Sequence, residues 1–190
     1  MRNLIFTCLL IFLCITTQAQ TIVAGIKGGY NLSRLEISGR ITDPVLGNDW
    51  ISSFHVGAFL RKPVSAKGAV QVELLYSGKG CRFQLASLRD NSLQLHYLNL
   101  PVLLNFQLVR NLVFEVGPEL GYLLDTKQRI YNSFDLGADV GLRYDFGKTA
   151  SLGARYCHGL TSVSTFNFTT GSNVLRNQAL QISLAYNLFK

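Results

Sequence analysis

Nucleophilic catalysis needs a serine or cysteine beside a base that a third group orients. The chain offers three histidines for the part of the base. His158 stands close in sequence to Ser162 and Ser164, His55 lies among alternating polar residues, and His96 precedes Tyr97. None of them shares with a serine and an acid a spacing that defines a hydrolase motif. Cys81 and Cys157 stand far apart and lack the paired cysteine or histidine spacing of a metal site, so the sequence leads us to expect no metal and no cofactor.

The charged residues are more informative, because they recur at alternate positions. Lys27, Arg61, Arg143 and Arg155 oppose Glu73, Glu115, Glu119, Asp135 and Asp139, each within a run whose other parity is apolar. In residues 112–124, Leu112, Phe114, Val116, Pro118, Leu120 and Tyr122 alternate with Val113, Glu115, Gly117, Glu119 and Gly121. Residues 134–144 repeat the pattern with Phe134, Leu136, Ala138, Val140 and Leu142 against Asp135, Gly137, Asp139, Gly141 and Arg143. A period of two places the charges on one face of a strand and the apolar residues on the other. Charges of both signs on one enclosed face must pair and hydrogen-bond to persist there, so these nine residues are expected to form an internal ion-pair network.

The elements that would position them are eight such runs, at 22–33, 51–61, 69–77, 93–106, 112–124, 134–144, 150–160 and 177–189. The fourth changes parity near Tyr97, where a bulge is predicted. Connections alternate in length: 34–50, 78–92, 125–133 and 161–176 are long, and 62–68, 107–111 and 145–149 are short. Even strand number, strands of about ten residues and alternating short turns and long loops are the signature of an up-and-down transmembrane β-barrel, with short turns and both termini in the periplasm. This arrangement places Cys81 in an outer loop and Cys157 in a strand, and they are expected to stay unpaired.

Alternation alone does not say which face is inside. The polar face carries Gly25, Gly29, Gly57, Gly117, Gly121, Gly137, Gly141, Gly153 and Gly159. Glycine weakens a strand and gains nothing on a solvated face, but it makes room where strands close around long side chains. The charged face is therefore read as the lumen. An eight-stranded barrel has an interior just wide enough for side chains, which argues for a closed, charge-filled interior over an open pore. Tyr30, Phe54, Tyr76, Tyr122, Tyr144, Tyr156 and Tyr186 recur near strand ends on the apolar face, where aromatic girdles sit.

Arg2 followed by an apolar run over 4–15 and by Thr17-Gln18-Ala19 reads as a secretory signal peptide cleaved after Ala19, leaving a single barrel domain over 20–190. The apolar run is too short to span a bilayer as a helix. Net charge is +7, but the bases are scattered without a Lys/Arg block, so anionic lipid is a better partner than nucleic acid.

Several short stretches resemble the PorT-like family of bacterial outer-membrane β-barrels. Gly25-Ile26-Lys27-Gly28-Gly29-Tyr30-Asn31-Leu32-Ser33 resembles that family's first strand, and Tyr97-Leu98-Asn99-Leu100-Pro101-Val102-Leu103-Leu104 its fourth. Gly117-Pro118-Glu119-Leu120-Gly121-Tyr122-Leu123-Leu124 resembles the fifth, and Arg155-Tyr156 with Gly159-Leu160 the seventh. The resemblance implies a Gram-negative outer-membrane location, insertion by the barrel-assembly machinery, and a role supporting secretion. The chain departs from the family in lacking acids before Pro101 and in ending Leu188-Phe189-Lys190, with the aromatic penultimate.

The expectation is thus a non-enzymatic, monomeric, all-β, eight-stranded antiparallel barrel of the outer membrane, acting as a structural, interaction or secretion-supporting component through its outer loops. Trp50, Phe166 and Phe168 are the candidate loop contacts, with Trp50 also placed to be a girdle residue. Two alternatives stand beside it. One is a membrane-embedded enzyme modifying lipid or peptide, with His158 as its best base; the other is a soluble lipocalin-like ligand-binding barrel, which needs its apolar face inside.

Overall fold

The computed structural model describes residues 22–38, 49–85, 88–124, 132–163 and 174–189. The signal peptide, most of 34–50, and Phe166 and Phe168 lie outside them. Eight antiparallel strands close into one barrel in chain order: β1 (Val23–Ser38), β2 (Ile51–Pro63), β3 (Gly68–Leu85), β4 (Leu88–Val109), β5 (Leu112–Leu123), β6 (Phe134–Phe146), β7 (Ala150–Gly159) and β8 (Val174–Phe189). Closure is made by β1 against β8, in register from Gly25↔Asn187 to Ser38↔Val174. Every strand therefore has two hydrogen-bonded neighbours, and the barrel has no free edge.

The faces divide by parity. Lys27, Glu73, Glu115, Asp139 and Arg155 are buried inside, while Ile26, Leu74, Val140, Leu142 and Ile182 are exposed outside. This is the reverse of the apolar interior that a soluble ligand-binding barrel requires. Outward aromatics form two belts. Phe54 lies 5.9 Å from Tyr76 and Tyr122 lies 5.3 Å from Phe134 at the long-loop end. At the short-turn end Tyr144 packs edge-on to Phe146 at 5.0 Å. Phe134 and Tyr144 are separated by ten residues of β6, and strands rising ~3.3 Å per residue at a tilt near 40° put the belts roughly 25 Å apart, the height of a hydrocarbon layer.

Two expectations need correction. The stretch 78–92 is not a long loop, because β3 and β4 run on as a hairpin until Leu85 pairs with Leu88. Gly78, Gly80 and the charges around them imitate a turn in sequence. In the fold Gly80 has φ +150°, and a Cβ there would lie 2.0 Å from the Leu93 carbonyl oxygen, so glycine serves close strand approach rather than a turn. Cys81 accordingly sits inside β3 and is buried, and both Cys81 and Cys157 are unpaired.

There is also no bulge at Tyr97. Pairing runs without a shift from Val72↔Val102 to Phe83↔Asn91, and the irregularities of β4 fall at its ends, opposite Phe83/Leu85 and at Gln107/Val109. The inward parity is continuous through Leu95, Tyr97, Asn99, Leu103 and Asn105, all buried. Parity seemed to slip because the inside itself becomes apolar toward the long-loop end. There Leu35, Cys81, Leu95, Tyr97, Leu123 and Val163 form one buried cluster, with Leu93 and Leu175 packed against it.

The glycines make room, but mainly for backbone. A Cβ at Gly29, Gly57 or Gly117 would lie 2.0, 1.9 or 2.0 Å from a carbonyl oxygen of the neighbouring strand. Only at a few positions does a lumen side chain come nearly as close, as at Gly25, where a Cβ would lie 2.5 Å from Phe59 Cζ and 2.3 Å from the Tyr186 carbonyl oxygen. Tight coiling of eight strands, more than the bulk of charged side chains, excludes a side chain at these positions.

Candidate functional site

The lumen is filled in tiers. At its centre Glu73 of β3 receives a two-pronged contact from Arg155 of β7, with Nη1 donating to Oε2 at 2.9 Å and Nη2 to Oε1 at 2.8 Å. Lys27 of β1 donates to the same carboxylate at 3.1 and 3.2 Å. Arg155 also donates to Glu115 Oε2 at 3.0 Å, and Glu115 accepts a hydrogen bond from Arg143 Nη1. Arg143 in turn reaches Asp145 at 2.8 Å, near the short-turn end. Strands β1, β3, β5, β6 and β7 are thus tied across the barrel by one connected set of charge-assisted bonds.

Of the nine charged residues singled out from the sequence, this network brings together Lys27, Glu73, Glu115, Arg143, Arg155 and, at 3.6 Å from Arg155, Asp139. Arg61 stands outside its ion pairs. Its Nε donates to Gln71 at 2.6 Å and its guanidinium lies over the Phe59 ring at 5.0 Å, so it meets the network through Gln71, which also accepts from Arg143. Glu119 pairs instead with Lys79, at 2.6 Å. Asp135 is held by neutral donors, Thr161 Oγ1 at 3.0 Å and Asn177 Nδ2 at 2.7 Å.

Sequence reasoning missed Lys79 and Gln71. Both share the inward parity of Glu73 and Ser77, so carrying that parity past Ser77 would have found the lysine. In sequence its stretch reads as a loop, with Gly78 and Gly80 on either side of the lysine.

His55 sits on the network's flank, with Nδ1 2.6 Å from Asn31 Oδ1 and Nε2 2.9 Å from Ser183 Oγ. Hydroxyl, imidazole and orienting amide in a row reproduce the connectivity of a nucleophilic triad. All three are buried, and a Cβ at Gly29 would lie only 2.9 Å from the imidazole Cε1. Asn31 is further committed to Ser77 Oγ at 2.9 Å and the Gly78 carbonyl at 3.0 Å. This row cross-links β1, β2, β3 and β8.

His158, which faces outward as His96 does, contacts Tyr156 Oη at 3.3 Å, and Ser162 Oγ accepts from the Leu175 amide at 3.4 Å. The structure does not bring these two into a catalytic pair.

Above the charged tiers the apolar cluster closes the long-loop end. Residues after β7 fold over it: Val163 enters the cluster, its N–H donates to Leu175 O at 2.7 Å, and its carbonyl accepts from Asn132 N at 2.8 Å. Outside the wall at this height Arg34 Nε donates to Gln178 at 2.8 Å, Gln178 donates to Glu36 at 2.7 Å, and the Arg34 guanidinium lies 4.7 Å over the Trp50 ring. Trp50 is half-buried in this polar collar.

Among the described residues the arrangement braces the barrel and fills its interior with paired charges and an apolar cluster. A barrel with apolar residues outside, two aromatic belts and a paired-charge lumen is built for lipid.

Comparison with known proteins agrees. The crystal structure of Ail, the attachment invasion locus protein of Yersinia pestis, superposes with a TM-score of 0.54 at 15% identity, covering 89% of this chain and 99% of that one. Neisserial surface protein A gives 0.54 at 12% identity, with 87% and 97% covered, and the outer membrane protein OprG from Pseudomonas aeruginosa gives 0.51 at 12%, with 90% and 98% covered. At such identities the likeness is one of fold. No curated protein sequence matches the chain. Residues 18–165 match the family described as outer membrane protein beta-barrel domain, and the chain belongs to that family.

Proposed function

We propose that this outer-membrane barrel is a non-enzymatic scaffold that works by presenting its long-loop rim to envelope or secretion proteins, and not by passing solutes. The observation that carries this is the double closure of the lumen, by the network around Glu73 and Arg155 and by the apolar cluster under Val163. The rim, by contrast, is built up unevenly. β3 continues nine residues past Tyr76 to Leu85 and β1 eight past Tyr30 to Ser38, whereas β5 ends at Leu123, one residue past Tyr122. Such raised strand pairs, β3 with β4 and β1 with β8, offer backbone and side chains to a partner at little cost to the barrel.

The reading includes a signal peptide over 1–19, a mature barrel over 20–190, insertion by the barrel-assembly machinery, and short turns and termini in the periplasm. The PorT-like resemblance of β1, β4, β5 and β7 supports a secretion-linked partner. Trp50, set in the polar collar beside Arg34, is the described residue best placed to contact it.

Photo-crosslinking in intact cells tests the proposal. A crosslinker replacing Trp50 is expected to capture a discrete protein, and one replacing Lys148 in the opposite turn is not. Lipid adducts alone at both positions would overturn the interaction role and leave a stand-alone structural protein. In planar bilayers the refolded barrel is expected to give no stepwise conductance, and regular steps would refute closure.

A further inference from the structure

The tier above Glu73 contains a group of side chains that the bracing of the barrel does not explain. Glu119 of β5, Asp139 of β6 and Cys157 of β7 are all at least nine-tenths buried, and one ligand-type atom from each lies within 4.8 Å of the others. Asp139 and Cys157 are direct partners across β6 and β7, and Glu119 stands two residues along β5 from Gly117, the partner of Asp139.

Several polar atoms of the group lack a full set of partners, and those atoms are acceptors. Oε2 of Glu119 has no hydrogen-bond partner, and Asp139 meets only the Cys157 thiol and, at 3.6 Å, Arg155 Nη1, with no nitrogen or oxygen donor at hydrogen-bond distance. Outside the acidic pair, Asn99 is fully buried and its amide nitrogen donates to Glu119 Oε1 at 3.1 Å, yet its Oδ1 is unpartnered too. Buried acceptors left this way are costly, and what they lack is positive charge or a donor.

The cations nearby are committed elsewhere. Arg155 is engaged by Glu73 and Glu115 and approaches Asp139 only to 3.6 Å, while Lys27 serves Glu73. Lys79 serves this tier through Glu119, and Arg155 reaches it only at Asp139, its own Nε meeting no acceptor. Facing it are Glu119, Asp139 and, nearer the long-loop end, Asp135.

We infer that Glu119, Asp139 and Cys157 bind one divalent transition-metal ion of the zinc class inside the barrel. The ion displaces the thiol proton, which leaves to solvent as the metal–sulfur bond forms. Two carboxylates and a thiolate then balance the ion together with Lys79. A sulfur ligand among oxygens favours zinc-like ions over magnesium or calcium. Metal–ligand distances near 2.0–2.3 Å require the three donor atoms to draw in by about 1 Å, which side-chain rotation supplies. Asn99, whose amide nitrogen already holds Glu119 Oε1, lines the same tier. Sequence spacing could not reveal such a site, because each ligand comes from a different strand. The inference is independent of the rim's proposed partner.

The mature chain, stripped with chelator while unfolded and refolded into detergent micelles with Co2+ as the probe, tests it. Folding is read from the heat-dependent shift in gel mobility. After desalting, one equivalent of Co2+ with thiolate-to-cobalt charge-transfer absorption is expected. Cys157→Ser is expected to lose that absorption, Cys81→Ser to keep it, and Asp139→Asn to retain Co2+ about tenfold less tightly. No retained Co2+ in the folded wild-type chain overturns the site, as does an absorption band that survives Cys157→Ser or disappears with Cys81→Ser. If Asp139→Asn does not fold, the two cysteine variants decide the matter.

Discussion

Arg155 and Glu73 face each other across the lumen from β7 and β3, joined by two parallel hydrogen bonds of 2.9 and 2.8 Å that Lys27 flanks from β1. These strands are not neighbours in the sheet, so the pair braces the barrel across its interior where backbone bonds cannot. Glu73→Gln keeps the shape but leaves two buried cations short of their anion. Breaking a buried pair in this way costs about 3–5 kcal/mol, so the urea midpoint of the refolded barrel in vesicles is expected to fall accordingly. An unchanged midpoint would show that the pair does not brace the fold.

Gly57 and Gly153 both lie on the inward face, yet their surroundings differ. A Cβ at Gly57 would meet the Leu74 carbonyl oxygen at 1.9 Å, whereas at Gly153 the nearest atom, the Leu142 carbonyl oxygen, is 3.7 Å away. Gly57→Ala is expected to destabilise the barrel by more than about 2 kcal/mol or to prevent refolding, and Gly153→Ala to stay within about 0.5 kcal/mol of wild type. Equal refolding yields and midpoints for the two would remove close strand approach as the reason for Gly57.

Ile182 points outward midway along β8, and Phe189 points outward at its end. An arginine at a bilayer midplane costs about 2–4 kcal/mol and near the interface about 0–1, so Ile182→Arg is expected to cost several times more than Phe189→Arg in vesicle refolding. Matching costs would mean that the two aromatic belts do not mark the membrane boundaries.

Val163 holds the segment after β7 inside the apolar cluster among Leu35, Leu95, Tyr97 and Leu123. Val163→Asp puts a charge where no partner awaits it, so the segment should detach while the barrel stays folded. Protease cleavage after Gly159 is expected to accelerate roughly tenfold or more without loss of the heat-dependent gel shift. Wild-type cleavage rates in the variant would show that the segment is held by its backbone bonds alone.

Ser183, His55 and Asn31 have the connectivity of a nucleophilic triad but lie enclosed. A fluorophosphonate reagent is expected to leave Ser183 unlabelled in the folded barrel. Stoichiometric labelling that Ser183→Ala abolishes would establish a hydrolase in place of a scaffold.

The amino-acid order by itself determined the strand number, the three short turns at one end, and which residues face inward on β1, β5 and β6. A period of two is a local property, and Glu115, Asp139 and Arg143 declare their face through their immediate neighbours. The lumen contacts were legible only in part. That acids and bases must pair follows from burial, but Arg155 choosing Glu73, Glu119 choosing Lys79, and Arg61 standing apart depend on how far the strands are staggered around the barrel. No single strand carries that stagger.

Only tertiary structure decided that residues 78–85 and 88–92 extend two strands, because the inside turns apolar there and the local pattern stops marking inside from outside. Register, and not spacing along any one strand, likewise brings Glu119, Asp139 and Cys157 together, since β5, β6 and β7 contribute one ligand-type side chain each.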